Sequence, residues 1–298
     1  MNDNRFCQAP VAIGGVGGSG TRIVAQFLID LGFYMGADLN VANDNRWFTL
    51  LFKRPHWFVN QHALADAKVF SALRIFEKAM TGSAGFKPVE VLFITRAALQ
   101  IAFTGHDQIG SGSGSWALGR LMTLLRSRHN RLPGPMGWGW KEPNSHIFLS
   151  QLNDHFRNLR YIHVIRHGLD MALSRNQAQL FNWGVLFGIP KPPAWKFVPK
   201  AALSYWIKSN GAAIDCARRL LGDRFLLVNF DELCAAPETG VGQIVKFLHI
   251  DPRQVDVKKL ASLPRTPSSS GRYRKRDLGI FTEGELSAVR KLGFAIEG

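Results

Sequence analysis

The sequence predicts an α/β fold in which a central parallel sheet is flanked by helices. Three observations predict it. Short apolar runs at residues 11–13, 161–165 and 225–228 have the length and composition of buried strands. The first two pass into helical patterns, and the third follows a long amphipathic helix. Strands that alternate with helices in this way pair in parallel through right-handed crossovers.

Each element follows from its local pattern. Val11, Ala12 and Ile13 form the first strand, and a glycine loop occupies residues 14–20. From Thr21 to Leu31 the apolar residues Ile23, Val24, Phe27, Leu28 and Leu31 recur at helical spacing. Residues 36–45 are polar and read as a loop, and residues 62–79 read as a helix. Residues 105–115 are rich in glycine and serine and read as a mobile loop near a site. Residues 161–165 are the second strand, and residues 167–177 its helix. Residues 181–199 hold several aromatics with Pro190, Pro192, Pro193 and Pro199, so they predict no regular element and suit a segment that covers a substrate. Between residues 201 and 221, Leu203, Trp206, Ile207, Ile214, Ala217 and Leu221 share one helix face. There is no internal repeat, and residues 1–298 are expected to form a single domain with helical insertions.

Composition narrows the function. Of 298 residues, 46% are hydrophobic and 20% charged, the balance of a globular chain and not of a disordered or fibrous one. Lys and Arg total 37 against 22 Asp and Glu, a net charge of +15. A field of that sign attracts nucleotides, nucleic acid, anionic lipid surfaces or acidic glycans. Cys7, Cys216 and Cys234 are far apart and odd in number, so they suggest neither zinc nor a redox pair but buried free thiols in a reducing compartment. No signal peptide is visible, and no apolar run reaches the roughly 18–20 residues of a membrane helix. The best candidate, residues 89–103, is interrupted by Thr95, Arg96 and Gln100. A cytoplasmic protein is expected, one able to work at a membrane surface.

The glycine loop joins a strand to a helix N-terminus, where unpaired amides and the dipole favour an anion. Gly17, Gly18 and Gly20 let backbone amides approach closely, and Ser19 and Thr21 add hydroxyls. This is a phosphate cradle. A Walker A loop would need Gly-Lys before Ser or Thr, but Thr21 and Arg22 follow Gly20. Residues 15–20 match the dinucleotide pattern G-x-G-x-x-G, yet residues 32–38 make no persuasive second strand with the acidic residue that pattern requires. At the second junction Arg166 ends a strand, and Ser174 lies eight positions on, where a helix would carry it two turns in. An arginine fork and a hydroxyl so placed converge on one anion.

These two junctions resemble the phosphate motifs of the nucleotide-dependent sulfotransferase family. Ser19-Gly20-Thr21 is similar to its 5′-phosphosulfate loop, although Gly18 stands where the family has a basic residue and Arg22 where it has a second threonine. Arg166 and Ser174 have the spacing of its 3′-phosphate motif. Residues 230–233 (Phe-Asp-Glu-Leu) resemble its aromatic-Glu-Asp-Leu element, and Gly271 and Arg272 in residues 270–276 resemble its glycine-flanked basic loop. Lys141 in residues 140–143 resembles a Lys-x-Pro element.

The resemblance implies a P-loop-nucleotide-hydrolase-like architecture and transfer of a sulfuryl group from 3′-phosphoadenosine-5′-phosphosulfate to an acceptor hydroxyl or amine. The released product is 3′-phosphoadenosine-5′-phosphate, and no metal is expected. The acceptor is a small molecule, glycan, lipid or protein. Nucleic acid is not expected as a partner, because basic residues are scattered apart from residues 272–276. Residues Gly17 to Arg22 would hold the 5′-phosphosulfate, and Arg166, Ser174, Gly271 and Arg272 the 3′-phosphate. With Gly18 unable to serve, Lys141, Arg22, Lys53 and Arg54 are candidates for the cation at the bridging oxygen, Lys141 first. Asp44, Asp38 and His56 are the candidate bases, with His106 and Asp107 behind them. A nicotinamide-dependent oxidoreductase and a degenerate, non-catalytic nucleotide binder are the alternatives.

Overall fold

The computed structural model describes residues 9–54, 67–82, 85–107, 112–127 and 136–297. Among these, four parallel strands lie in the order β2-β1-β3-β4: β1 (Val11–Gly15), β2 (Gly139–Lys141), β3 (Arg160–Ile165) and β4 (Phe225–Asn229). Ile13 pairs with both Lys141 and Ile162, and Ile165 pairs with Asn229. All four strands therefore end at one edge, from which the glycine loop, Glu142, Arg166 and Phe230 emerge. In open α/β sheets this carboxyl edge is where ligands bind.

Alternation along the strands divides the core. Val11, Ile13, Ile162 and Val164 pack with Val24, Phe27 and Leu28 of α1 (Thr21–Asp30) and with Val241 and Ile244 of α11 (Pro237–Phe247). Ala12, Tyr161 and Ile165 face an aromatic core that includes Trp47, Phe48, Trp140 and Trp206. Trp206 belongs to α9 (Val198–Leu221), the long helix read from its apolar face.

Between α1 and β2 lie α2 (Arg46–Phe52), α3 (Ala67–Thr81), α4 (Pro88–Thr104) and α5 (Ser115–Leu125), which pack on one another. The apolar run at residues 89–103 is thus part of α4. No helix among the described residues is long and apolar enough to cross a membrane. Part of the helix expected over residues 62–79 falls outside the described residues, and so do His56 and Cys7. Among the described residues Cys216 and Cys234 are free thiols, half-buried rather than buried.

After β2 come α6 (Leu149–His155), then α7 (Gly168–Ala172) and α8 (Ala178–Trp183) following β3. After β4 come α10 (Phe230–Ala235), α11, α12 (Val257–Ala261) and α13 (Glu283–Lys291). Two expectations need correction. The helix over residues 167–177 stops at Ala172, because the Gln177 side-chain amide donates to the carbonyls of Met171, Ala172 and Ser174 and ends the ladder. Residues 181–199 are not without regular structure: they include the end of α8 and 3-10 turns at Gly184–Phe187 and Trp195–Phe197.

Candidate active site at the carboxyl edge of the sheet

The glycine loop takes its shape from glycines with positive φ, at Gly15, Gly18 and Gly20. Gly20, the N-cap of α1, has φ 92°, and a Cβ there would lie 2.1 Å from the Phe230 ring. Gly18 has φ 95° with open space around it, so a Cβ would approach only Met171, at 3.4 Å. Backbone conformation, rather than crowding, disfavours a basic side chain at this position. Ser19 is 1% exposed, and its hydroxyl has no hydrogen-bond partner among the described residues. A buried orphan hydroxyl in a turn of approaching amides fits an anion. The Gly17 amide is occupied: it donates to Gln179 Oε1 at 2.9 Å, and Gln179 Nε2 donates to Asn144 Oδ1 at 2.8 Å.

Arg166 stands at the end of β3, beside β1, and is buried. Its Nη2 donates to the hydroxyls of Ser269 and Ser270, both at 3.0 Å. Its Nε has no hydrogen-bond partner among the described residues, and Asp231 Oδ1 lies 3.9 Å away. Asp231 also accepts from the His167 amide at 2.9 Å, which ties the start of α10 to the Arg166 turn. Asp170, in the first turn of α7, accepts from the amides of Gly271 (2.7 Å) and Tyr273 (3.2 Å). Arg272 then donates from Nε to the Ser269 carbonyl (3.1 Å) and from Nη1 to the Leu173 carbonyl (3.4 Å). Arg166, Arg272 and the residue before Ser174 are thereby joined around one loop. Ser174 lies beyond the end of α7, half-buried, and its Oγ accepts from the Asn176 amide at 3.2 Å.

Beside the glycine loop is a cavity of about 180 Å³ bounded by Gly17, Asp44, Lys53, Glu142, Gln179 and Trp206, among others. Asp44 binds the Lys141 ammonium, which also donates to the Ala42 carbonyl at 2.9 Å. Lys141 is therefore directed at Asp44, behind the cavity wall. Lys53, the C-cap of α2, lines the cavity, and its charge acts on Glu142 and His106. Glu142 is buried, and its carboxylate accepts from the Asn144 amide (2.7 Å) and from Asn144 Nδ2 (2.8 Å). Burial, helped by the Asp44 charge, pushes the Glu142 carboxyl up to about 7, against the pull of Lys53 and Asn144.

Other sequence candidates lie elsewhere. Asp38 is buried against Arg120 Nε (2.9 Å) and accepts from Thr123 Oγ1 (2.6 Å), so it is held in a structural pair. Arg22 is on the exposed face of α1. Arg54 is buried and stacks over Phe93, its guanidinium carbon 5.0 Å from the ring centroid. His106 packs against Trp116, and burial, with Lys53 nearby, lowers it to about 4. Asp107 is buried at a neighbouring hollow.

Sequence reasoning missed Glu142 and Gln179 as site residues. Glu142 had a partial local signal: an acidic residue directly before Pro143 is a helix N-cap, but the strand that sets it at the ligand edge is legible only in the fold. Gln179 had none. Among the described residues no group of three His, Cys, Asp or Glu is arranged to hold a metal.

Comparison with known proteins agrees with this architecture. Among solved structures the chain is similar to the sulfotransferase domain from the Synechococcus PCC 7002 olefin synthase, with TM-score 0.51 and 15% identity over 99% of this chain and 98% of that one. It is also similar to the sulfotransferase domain from the curacin biosynthetic pathway, with TM-score 0.50 and 13% identity over 98% of this chain and 100% of that one. At these identities the likeness is one of fold. No curated protein matches. The model of the sulfotransferase family matches residues 10–254, which carry all four strands, the glycine loop and Arg166, and the chain belongs to that family.

Proposed function

We propose that the protein transfers a sulfuryl group from 3′-phosphoadenosine-5′-phosphosulfate to an acceptor hydroxyl or amine. The observation that carries this reading is that the glycine loop and Arg166 end adjacent strands at one edge, each with a buried polar atom that has no hydrogen bond among the described residues. Gly17–Thr21 amides and the Ser19 hydroxyl would hold the 5′-phosphosulfate. Arg166, Ser174 and the loop of Gly271 and Arg272 would hold the 3′-phosphate. When bound, the donor supplies a sulfuryl group on a nucleotide phosphate leaving group.

The residues of the cavity divide the remaining work. Glu142 is the group best placed to take the acceptor's proton, since it lines the cavity beside Gly17 and is held near neutrality. Asp44 is engaged by Lys141 and sustains the Glu142 shift. As the acceptor forms its bond to sulfur and the bond to the phosphate oxygen breaks, negative charge grows on the leaving phosphate. Lys53 is the cation that lines this space, Lys141 stands behind Asp44, and glycine-loop amides complete the stabilisation. The sulfuryl group carries less charge than a phosphoryl group, so these donors suffice.

Calorimetric titration with adenosine 3′,5′-bisphosphate, beside NAD, tests the reading. Micromolar binding of the bisphosphate alone is expected. Arg166→Ala removes charge-assisted hydrogen bonds worth about 1.5–3 kcal/mol each and should weaken binding at least about tenfold. Absence of bisphosphate binding would sink the sulfotransferase reading, and binding of NAD instead would return the glycine loop to a dinucleotide enzyme.

A further inference from the structure

The segment that leads into α9 is unlike the rest of the surface. Trp195 is 61% exposed and Phe197 48% exposed, although large aromatics normally supply core. Lys191, Lys196 and Lys200 are exposed around them. The Lys196 ammonium lies 5.1 Å from the Phe197 ring centroid, and the Lys191 ammonium 6.0 Å from that of Phe181. Between Asp170 and Asp215 there is no acidic residue, while Arg175, Lys191, Lys196, Lys200 and Lys208 are all cationic. The stretch itself carries no carboxylate, and Asp107 is the acidic residue that borders the hollow beneath Trp195.

Its position adds meaning. Trp195 bounds a hollow of about 220 Å³ with Asn176, Gln177 and Ala178. Those last three residues also bound the cavity beside the glycine loop. Trp195 therefore lies across residues 176–178 from the cavity beside the glycine loop.

We propose that residues 189–200 dock on an anionic lipid surface, with Trp195 and Phe197 entering the headgroup region and the lysines facing the acidic headgroups. Charge complementarity argues for an anionic partner. The aromatic rings select a bilayer among anionic partners, because amphipathic rings beside lysines favour the boundary between headgroup and acyl chain. An acidic glycan would need hydrogen-bonding side chains to read its hydroxyls. Residues 189–200 contain no Ser, Thr, Asn, Gln, Asp or Glu, and lysine is their only hydrogen-bonding side chain apart from the Trp195 indole. A second copy of the chain would bring like-charged segments together at +15 net charge per chain. Docking here does not depend on the sulfuryl-transfer reading, and it is measured without donor.

Co-sedimentation with phosphatidylcholine vesicles, with and without phosphatidylglycerol, tests the docking. The full chain should pellet with the phosphatidylglycerol vesicles. The double variant Trp195→Ser/Phe197→Ser should partition at least about tenfold less, as expected for losing two buried aromatics. Its thermal midpoint should be unchanged, because both side chains are exposed. If that variant proves unstable, Lys191→Ser/Lys196→Ser should lose the dependence on phosphatidylglycerol. Three results would overturn the docking: no pelleting of the full chain, equal pelleting of wild type and both variants, or a dimer seen by light scattering that the aromatic substitutions dissociate. Heparin binding that depends on Trp195 and Phe197 without vesicle binding would assign the segment to an acidic glycan instead.

Discussion

Glu142 acquires its chemistry from its surroundings. An exposed glutamate is fully ionised at neutral pH and is a weak base. Here burial is the largest influence, the Asp44 charge adds to it, and the carboxyl rises to about 7. The two hydrogen bonds from Asn144 oppose the shift but fix the carboxylate's orientation. A base held near the working pH is half ionised there and still strong enough to accept a proton. Glu142→Gln keeps the volume and can accept one of the two Asn144 hydrogen bonds, yet cannot take the acceptor's proton. Turnover should fall by about 10²–10⁴-fold, with bisphosphate affinity changed little. The sign of the pH dependence follows, since the ionised form is the active one. In the wild type, kcat/KM should rise with pH through about 7, and this limb should vanish in the glutamine variant. An ascending limb that persists unchanged would assign the base to another group.

At the scale of elements, the glycine loop and α8 hold each other. Gln179, in the first turn of α8, accepts from the Gly17 amide and donates to Asn144, so α8 occupies part of the anion cradle. An incoming phosphate must compete with this carbonyl. Gln179→Ala should therefore tighten bisphosphate binding by about two- to tenfold, the worth of one net hydrogen bond of about 0.5–1.5 kcal/mol. Calorimetry would read this directly, and weaker binding would mean that Gln179 contacts the nucleotide instead of excluding it. Contacts of this kind explain which parts of the site are legible in the sequence. The glycine loop and Arg166 are, because a glycine run after an apolar strand and an arginine at a strand end are local patterns. Gly139-Trp140-Lys141 lacks an apolar run, and it becomes β2 because Ile13 pairs with Lys141. Ser174 follows apolar residues that extend a helical pattern, but the Gln177 amide takes the carbonyls that would continue it. Asp38 looks like a free loop acid until Arg120, from α5, is folded against it. Glu142 depends on Asp44 and Lys53, which reach it only through the fold.

Across the whole molecule, the edge that holds these groups rests on a buried polar layer. Tyr161 donates to His163 Nδ1 at 2.8 Å, and His163 Nε2 donates to Asn210 Oδ1 at 2.8 Å. His146 Nδ1 donates to the Pro143 carbonyl at 2.7 Å, so its Nε2 accepts from Ser209 at 2.8 Å. The layer links β3, the turn after Glu142 and α9, and its burial favours both imidazoles neutral. Burial lowers His163 to about 4 and His146 to about 3, from an ordinary 6.5. A depressed histidine contributes stability that is present above pH 6.5 and lost as pH falls toward its folded value, because the unfolded chain takes up protons that the folded one refuses. Glu142 acts in the opposite sense. Its raised carboxyl contributes stability that is full below an ordinary 4.5 and lost as pH rises through about 7. Between pH 6.5 and 4.5, acidification thus removes stability through the two histidines while Glu142 returns part of it. Glu142→Gln abolishes the opposing contribution. Its thermal midpoint, compared with that of the wild type, should fall more steeply as pH drops from 7 to 4.5, and the gap should stop widening below 4.5. Parallel curves for the two proteins across that window would show that the fold does not hold Glu142 protonated near neutrality, and the base assignment would lose its physical footing with it.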